Sequence, residues 1–244
     1  MIFGDVSNKS ILVTGATSGI GKDIGQFLRK SNANLFLTGR SKNKISQLKE
    51  DFGNHAKIFQ ADLVNDIDYL VDKLEVLDGL VLCAGTIQYD SAKSLRSQRI
   101  KELFEVNFFA NIDLISSLIR SRKLNRNASV VIISSVSSKM GVPGTLAYAA
   151  SKAALEAAAR VYAGELARRG IRFNTISPGL IKTPLLENDT LDSELLKREE
   201  LKYPLGIGTP GSISSLVRYL LSDESTWLTG ENIVLDGGLS LKSK

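Results

Sequence analysis

Short apolar runs alternate with longer stretches of helical period along most of the chain. Ile11-Leu12-Val13 is apolar throughout, as a strand buried on both faces must be. The turn Thr14-Gly15-Ala16-Thr17-Ser18-Gly19-Ile20-Gly21 follows, and then Ile24, Phe27 and Leu28 recur at helical spacing. Asn34 to Thr38 predicts a second strand, Lys42 to Asp51 a polar helix, Lys57 to Gln60 a third strand, Ile67 to Leu77 a helix and Asp78 to Gly85 a fourth strand. Ile100, Leu103, Phe104, Asn107, Phe108 and Ile112 share one helical register, Ser129 to Ser134 reads as a fifth, central strand, and Ala153 to Ala167 as a helix rich in small residues. Strands alternating with helices predict an α/β fold with a doubly wound parallel sheet, because each parallel crossover needs its covering helix.

The turn after the first strand is the strongest local signal. Gly15 allows a tight turn off the strand, and Gly19 and Gly21 keep side chains away from the first helical amides. Those amides and the helix dipole favour an anion such as a pyrophosphate, although glycines also gather at strand-to-helix turns for purely local reasons. The second strand ends at Gly39-Arg40-Ser41. An arginine there favours a 2′-phosphate and hence NADP(H), or is a solvated loop charge; an acidic residue would have favoured NAD(H). Asp62, in Ala61-Asp62-Leu63 after the third strand, could accept from an adenine amino group or cap the next turn.

Composition removes several classes. The chain has 244 residues, 43% of them hydrophobic, enough for one large α/β domain over residues 1–244. Its 31 basic and 26 acidic residues are spread along the sequence, so the net charge of +5 describes a mildly basic surface and not a nucleic-acid arm or a polybasic anchor. Cys83 and His55 are the only residues of their kinds, which rules out an intrachain disulfide and a Cys/His zinc site; no metal is expected. No stretch is apolar enough to span a bilayer and no leader pattern is evident, so the cytoplasm is the expected compartment.

Three further features carry chemistry. Ala84-Gly85 ends the fourth strand and lets the chain pass close to a bound cofactor, while Cys83 beside it reads as a small buried apolar residue. Asn107 is an amide among apolar positions, so it either satisfies local backbone groups or holds water. Ser134 to Ser138 form a polar patch at the carboxyl end of the fifth strand, and Tyr148 and Lys152 lie four apart on one helix face. A cation beside a phenol lowers its pKa towards working pH, which suits a proton donor and acceptor.

Taken jointly, these motifs resemble the short-chain dehydrogenase/reductase family over nearly the whole chain. The resemblance implies a single-domain Rossmann-type fold with about seven parallel strands flanked by helices. It places Gly15, Thr17, Ser18, Gly19, Ile20 and Gly21 in the cofactor turn, Arg40 at the adenosine ribose, and Asp62 and Leu63 at the adenine. Ala84 and Gly85 then lie along the cofactor, and Asn107, Ser135, Tyr148 and Lys152 form the catalytic set, with Asn107 holding a water and Lys152 also on the nicotinamide ribose. Ile171 to Gly179 looks like the family's sixth strand and its Pro178-Gly179 turn, with Ile181 and Thr183 at the nicotinamide carboxamide and phosphate. Residues 229–238 resemble its last strand, and 184–205 the segment that closes over substrate. One departure is that Leu82-Cys83-Ala84-Gly85 lacks the family's two asparagines, so local repacking without loss of chemistry is expected.

The activity implied is interconversion of a carbonyl and a secondary alcohol with NADP(H), with NAD(H)-dependent alcohol or sugar oxidation and a non-catalytic dinucleotide-binding protein as alternatives. Within the family the chain resembles the 3-oxoacyl-acyl-carrier-protein reductases, which implies a thioester on an acidic carrier met through basic residues beside the active-site mouth; Arg126, Arg168 and Arg169, which the family fold would bring to the subunit surface, either meet that carrier or merely complement helix dipoles. A homodimer or homotetramer is likewise implied, and no nucleic-acid or membrane partner.

Overall fold

The computed structural model describes residues 4–183 and 198–241. Seven strands form one parallel sheet: β1 (Ser10–Val13), β2 (Asn34–Gly39), β3 (Ala56–Gln60), β4 (Leu77–Leu82), β5 (Leu124–Ile133), β6 (Arg172–Pro178) and β7 (Asn232–Leu235). Their spatial order is β3-β2-β1-β4-β5-β6-β7, the doubly wound topology the alternating pattern predicts. The winding reverses between β1 and β4, and the crevice that opens there at the carboxyl ends of the strands is where such sheets bind ligands.

Alternation along each strand splits the core into two layers. Leu12, Leu80, Val130 and Ile132 point to one face and meet Leu70 of α3 (Ile67–Lys73), Leu114 and Leu118 of α5 (Ala110–Arg120) and Leu155 of α6 (Leu146–Leu166). Ile11, Val13, Val81 and Val131 point to the other and meet Ile24 and Leu28 of α1 (Gly19–Arg29), Ile45 and Leu48 of α2 (Lys42–Phe52), and Ile213 and Val217 of α7 (Pro210–Leu221). Among the described residues no helix is long and apolar enough to cross a membrane.

Three boundaries differ from the sequence pattern. α3 stops at Lys73, and the chain turns extended so that Leu77 already pairs with Leu124 in the sheet. β5 correspondingly begins at Leu124, five residues before the apolar run, across a register irregularity between Leu77 and Gly79. The polar residues Asn125-Arg126-Asn127 hid that start; Asn125 Nδ2 donates to Asp78 Oδ1 at 2.6 Å. The predicted long helix over residues 100–112 is instead α4 (Ser97–Phe104), a π-helical turn over Glu105–Phe109 and α5. Of the expected substrate-covering segment 184–205, residues 184–197 lie outside the described residues. The remainder is tied down: Leu180 N donates to Tyr203 Oη at 2.9 Å and Leu205 N to Gly237 O at 3.0 Å.

Candidate active site

The turn between β1 and α1 is pressed against the end of β4. Gly15 has φ +65°, and a Cβ there would sit 2.8 Å from the Ala84 backbone. A Cβ on Gly21 would come within 2.4 Å of Gly15 O. Thr14, fully buried, fixes the junction by accepting the Cys83 and Ala84 amides on Oγ1, each at 3.1 Å. Sequence reasoning placed Thr14 in the turn without giving it this task; a hydroxyl closing an otherwise apolar strand was the signal. Ser18 opens α1 in extended conformation with its hydroxyl uncommitted to the cap, and the first helical turn holds no acidic side chain. These free amides suit an anion. Ile20 packs on the core beneath them.

The other cofactor candidates ring the same crevice. Gly39 lies so close to Thr17 that an added Cβ would meet its methyl at 2.4 Å, and Thr183 is the nearest side chain across from Gly19. Arg40 is exposed beyond the tip of β2; its carbonyl is reached by Gln60 Nε2 at 3.5 Å, and its guanidinium has no partner among the described residues. Asp62 does cap its turn, accepting Val64 N at 3.2 Å. The Leu63 side chain is buried in the core, so only its backbone can face a ligand. Gly179 N donates to Leu235 O at 3.0 Å beyond Pro178, and buried Ile181 pairs with Gly208. Close-packed glycines and uncommitted helix amides at the crevice, with an exposed arginine at the neighbouring strand tip, fit a nicotinamide dinucleotide.

On the far side of β4 stand the side chains suited to proton transfer. Ser135 follows β5 in extended conformation, and its Oγ accepts Ser137 N at 3.2 Å. It faces Tyr148, near the start of α6, closely enough to act on the phenol. Lys152, one turn on, is only 6% exposed and donates from Nζ to Ile133 O at 2.8 Å. Burial lowers its pKa to about 8, with Cys83 pulling the other way. Burial also raises the Tyr148 phenol above its ordinary value; the Ser135 hydroxyl opposes the rise, and Tyr89 and Cys83 add to it. The lowering expected from Lys152 is not seen in this arrangement, because the ammonium is turned to the Ile133 carbonyl and lies 5.8 Å from the Tyr148 ring centroid.

Asn107 resolves the choice left by the sequence in favour of the backbone. Its Oδ1 accepts Thr86 N and its Nδ2 donates to Thr86 O, both at 2.8 Å, with Ser151 Oγ at 3.2 Å. The amide therefore braces the chain beyond Ala84-Gly85 against α6, with both Nδ2 protons committed. Gly85 allows this approach, since a Cβ there would sit 3.2 Å from Asn107 Oδ1. The π-helical turn frees carbonyls at this point, and buried Asn111 takes the Asn107 carbonyl from Nδ2 at 2.8 Å. Asn111 went unnoticed in sequence, although a second amide four residues on repeats the first signal.

Cys83 packs on the core beside Val81 and Val131. Burial pushes its thiol up to about 11, with Lys152 opposing, which agrees with the reading of an apolar filler. The arginines reach the surface as expected, at the amino edge of the sheet. Arg126 and Arg168 are exposed, and Arg169 Nη2 donates to Leu124 O at 3.1 Å. Arg126 and Arg169, with Arg120 and Arg122, line a cleft of about 550 Å³ at the amino edge of the sheet. Nine extended residues from Arg126 to Ser135 span roughly 30 Å, so in one chain this edge is not beside the active-site mouth.

Comparison with known proteins agrees with this architecture. A family model described as Enoyl-(Acyl carrier protein) reductase matches residues 15–240. The chain is 32% identical over 238 residues to the 3-oxoacyl-[acyl-carrier-protein] reductase FabG of Rickettsia bellii, covering 96% of this chain and 98% of that one. It is 31% identical over 244 residues to the Thermotoga maritima protein of the same name, with 96% and 98% covered. A solved structure described as a short chain dehydrogenase/reductase family protein superposes with a TM-score of 0.85 at 29% identity, covering 97% of this chain and 99% of that chain. The chain therefore belongs to the short-chain dehydrogenase/reductase family, whose members are NAD(P)-dependent oxidoreductases of carbonyl and alcohol groups.

Proposed function

We propose that the protein is an NADPH-dependent reductase of 3-oxoacyl thioesters carried on acyl carrier protein. The observation that carries the catalytic part is the Ser135 and Tyr148 hydroxyls set close together at the end of β5, with buried Lys152 one turn away. Two hydroxyls converging on one point suit a carbonyl oxygen on which negative charge develops. Tyr148 gives that oxygen its proton and Ser135 holds the oxygen in place. Lys152 keeps a positive charge beneath the phenol and offers its ammonium to the nicotinamide ribose. A bound NADPH supplies the hydride. Gly15, Thr17, Ser18, Gly19, Ile20, Gly21 and Thr183 would hold the phosphates, Arg40 the 2′-phosphate, and Asp62 and the Leu63 backbone the adenine. Ala84, Gly85, Pro178, Gly179 and Ile181 would line the nicotinamide side, and Asn107 serves as a brace.

The thioester and its carrier come from the relatives' names. Because the arginine edge lies far from the mouth of its own chain, carrier docking there would serve the active site of a second copy. Leu146, Ala150, Ala153, Ala157, Val161 and Gly164 form one apolar, largely exposed stripe along α6, which favours pairing of that helix with its equivalent. The test is NADPH oxidation with acetoacetyl-carrier protein, with acetoacetyl-pantetheine and with an enoyl thioester. A 3-hydroxyacyl product from the first two and none from the third is the expected result. Reduction of the double bond alone would replace the reading with that of an enoyl reductase.

A further inference from the structure

Glu156 lies one turn beyond Lys152 on α6 and has no part in the chemistry above, yet it is only 6% exposed. Its Oε1 accepts three hydroxyls: Ser134 Oγ at 2.6 Å, Ser177 Oγ at 3.0 Å and, closest, Ser138 Oγ. The donors come from separate segments, and two of them adjoin site residues directly. Ser134 precedes Ser135, Ser138 ends the short turn that follows Ser135, and Ser177 precedes Pro178-Gly179.

Proton counting supports all three bonds. Ser138 Oγ is also 2.7 Å from Ser135 O, but the carboxylate oxygen is nearer and the stronger acceptor; Ser134 Oγ likewise lies 2.6 Å from Glu156 and 3.4 Å from Lys152 O. Ser177 Oγ lies 2.8 Å from Asn232 Oδ1, while Asn232 Nδ2 is buried without a partner. Turning that amide over settles both, since Nδ2 then donates to Ser177 and the Ser177 proton goes to Glu156. The result ties β7, β6, the β5 terminus and α6 to one oxygen beneath the reacting groups.

We infer that Glu156 is a positioning residue, whose carboxylate holds Ser134, Ser138 and Ser177 so that Ser135 stays against Tyr148 and the Pro178-Gly179 turn stays against α6. This rests on the reductase reading. Attachment of α6 to the sheet does not need the carboxylate, because Leu155, Ala159 and Ala163 already bury that face. What the carboxylate adds is one strong acceptor shared by three hydroxyls at the site; without it each turns to its own second partner, Lys152 O, Ser135 O or Asn232.

The experiment compares wild type, Glu156→Leu and Glu156→Gln in carbonyl reduction with NADPH, in thermal unfolding, and in hydrogen exchange over residues 134–139. Glu156→Leu should lower kcat about tenfold or more while the KM for NADPH moves less than about threefold. Glu156→Gln keeps an acceptor oxygen and should restore most of kcat. Exchange over 134–139 should quicken in Glu156→Leu and not in Glu156→Gln, with β1 to β3 unchanged. A wild-type kcat in Glu156→Leu, or unchanged exchange over 134–139, would overturn the inference, and a loss that only tracks a lower unfolding midpoint would do the same. If wild type reduces no carbonyl, the reductase reading falls, and the exchange data alone decide whether Glu156 holds this segment. Should Glu156→Leu not fold, Ser138→Ala removes one donor and must show the same split between kcat and KM.

Discussion

The two sides of the crevice between β1 and β4 are built by different means. On the β1–α1 side the shape is set by backbone: a glycine with φ +65°, another with no room for a Cβ, and helix amides without acidic neighbours. On the β5–α6 side the backbone is ordinary, with Ser135 extended and α6 a plain helix. There the geometry is set by side-chain hydrogen bonds: Lys152 to Ile133 O, Asn107 to Thr86 and Ser151, and Glu156 to Ser134, Ser138 and Ser177. A backbone site tolerates almost no added atom and discriminates by fit. A side-chain site accepts substitutions of equal shape and answers with lost chemistry.

The sharpest separation of the two sides is Tyr148→Phe, which deletes one hydroxyl and changes no shape. Turnover should fall about a hundredfold or more while NADPH affinity stays within a factor of about two. Near-normal turnover would mean that another group supplies the proton.

Arg40→Asp addresses the opposite side and should leave kcat with the better cofactor nearly intact. A charge-assisted contact to the 2′-phosphate is worth about 1.5–3 kcal/mol, so NADPH affinity should fall about 10- to 150-fold and NADH become the preferred cofactor. Equal calorimetric affinities of wild type for NADPH and NADH would remove Arg40 from the site.

Close packing predicts a third and smaller effect. Gly21→Ala places a methyl carbon against Gly15 O, where 2.4 Å is available, and α1 must shift away from the phosphate position. NADPH affinity should drop about tenfold, the scale of a strained backbone contact. Gly164→Ala, also helical but with nothing within 4 Å, should stabilise the fold by up to about 1 kcal/mol and leave affinity unchanged. Equal affinities in the two variants would show that the turn is softer than its packing.

The same division decides what could be read in the sequence. Glycine positions are one-dimensional: Gly15 and Gly21 are informative because their spacing from the strand fixes where they fall, and Tyr148 and Lys152 because one helical turn separates them. The doubly wound order of strands was legible for the same reason. Glu156 was not, since a glutamate on a helix reads as a solvated face and its partners lie 18 to 22 residues away on other elements. The sequence marked Asn107 as a buried amide needing partners, and only the fold could bring Thr86 and Ser151 to it. Arg126 and Arg169 do meet at one surface, yet the strand direction carries that surface to the far edge of the sheet. The start of β5 was hidden because Asn125 and Arg126 interrupt the apolar run that marks a buried strand.

The effect nearest to zero at neutral pH is graded by pH and tests whether the side-chain half depends on charge. Burial lowers Lys152 to about 8 from its ordinary 10.5, whereas the Tyr148 phenol moves the other way, above its ordinary value. The reductive reaction needs the ammonium beneath the phenol, so kcat/KM should be level below about 8 and fall by up to tenfold per pH unit above it. Stability should move the other way. Between about 8 and 10.5 the unfolded chain holds a proton on this lysine that the folded chain has released, so unfolding takes up a proton and the fold gains stability as pH rises through that window. Below about 8 both states are protonated, and the fold carries the full penalty of a buried ammonium. Lys152→Met removes the titrating group, so its unfolding midpoint should lose this part of the rise across the window while its turnover is low at every pH. A wild-type rate that stays level to pH 10, with a midpoint that rises as steeply in Lys152→Met as in wild type, would show that the charge at this position governs neither the reaction nor the fold.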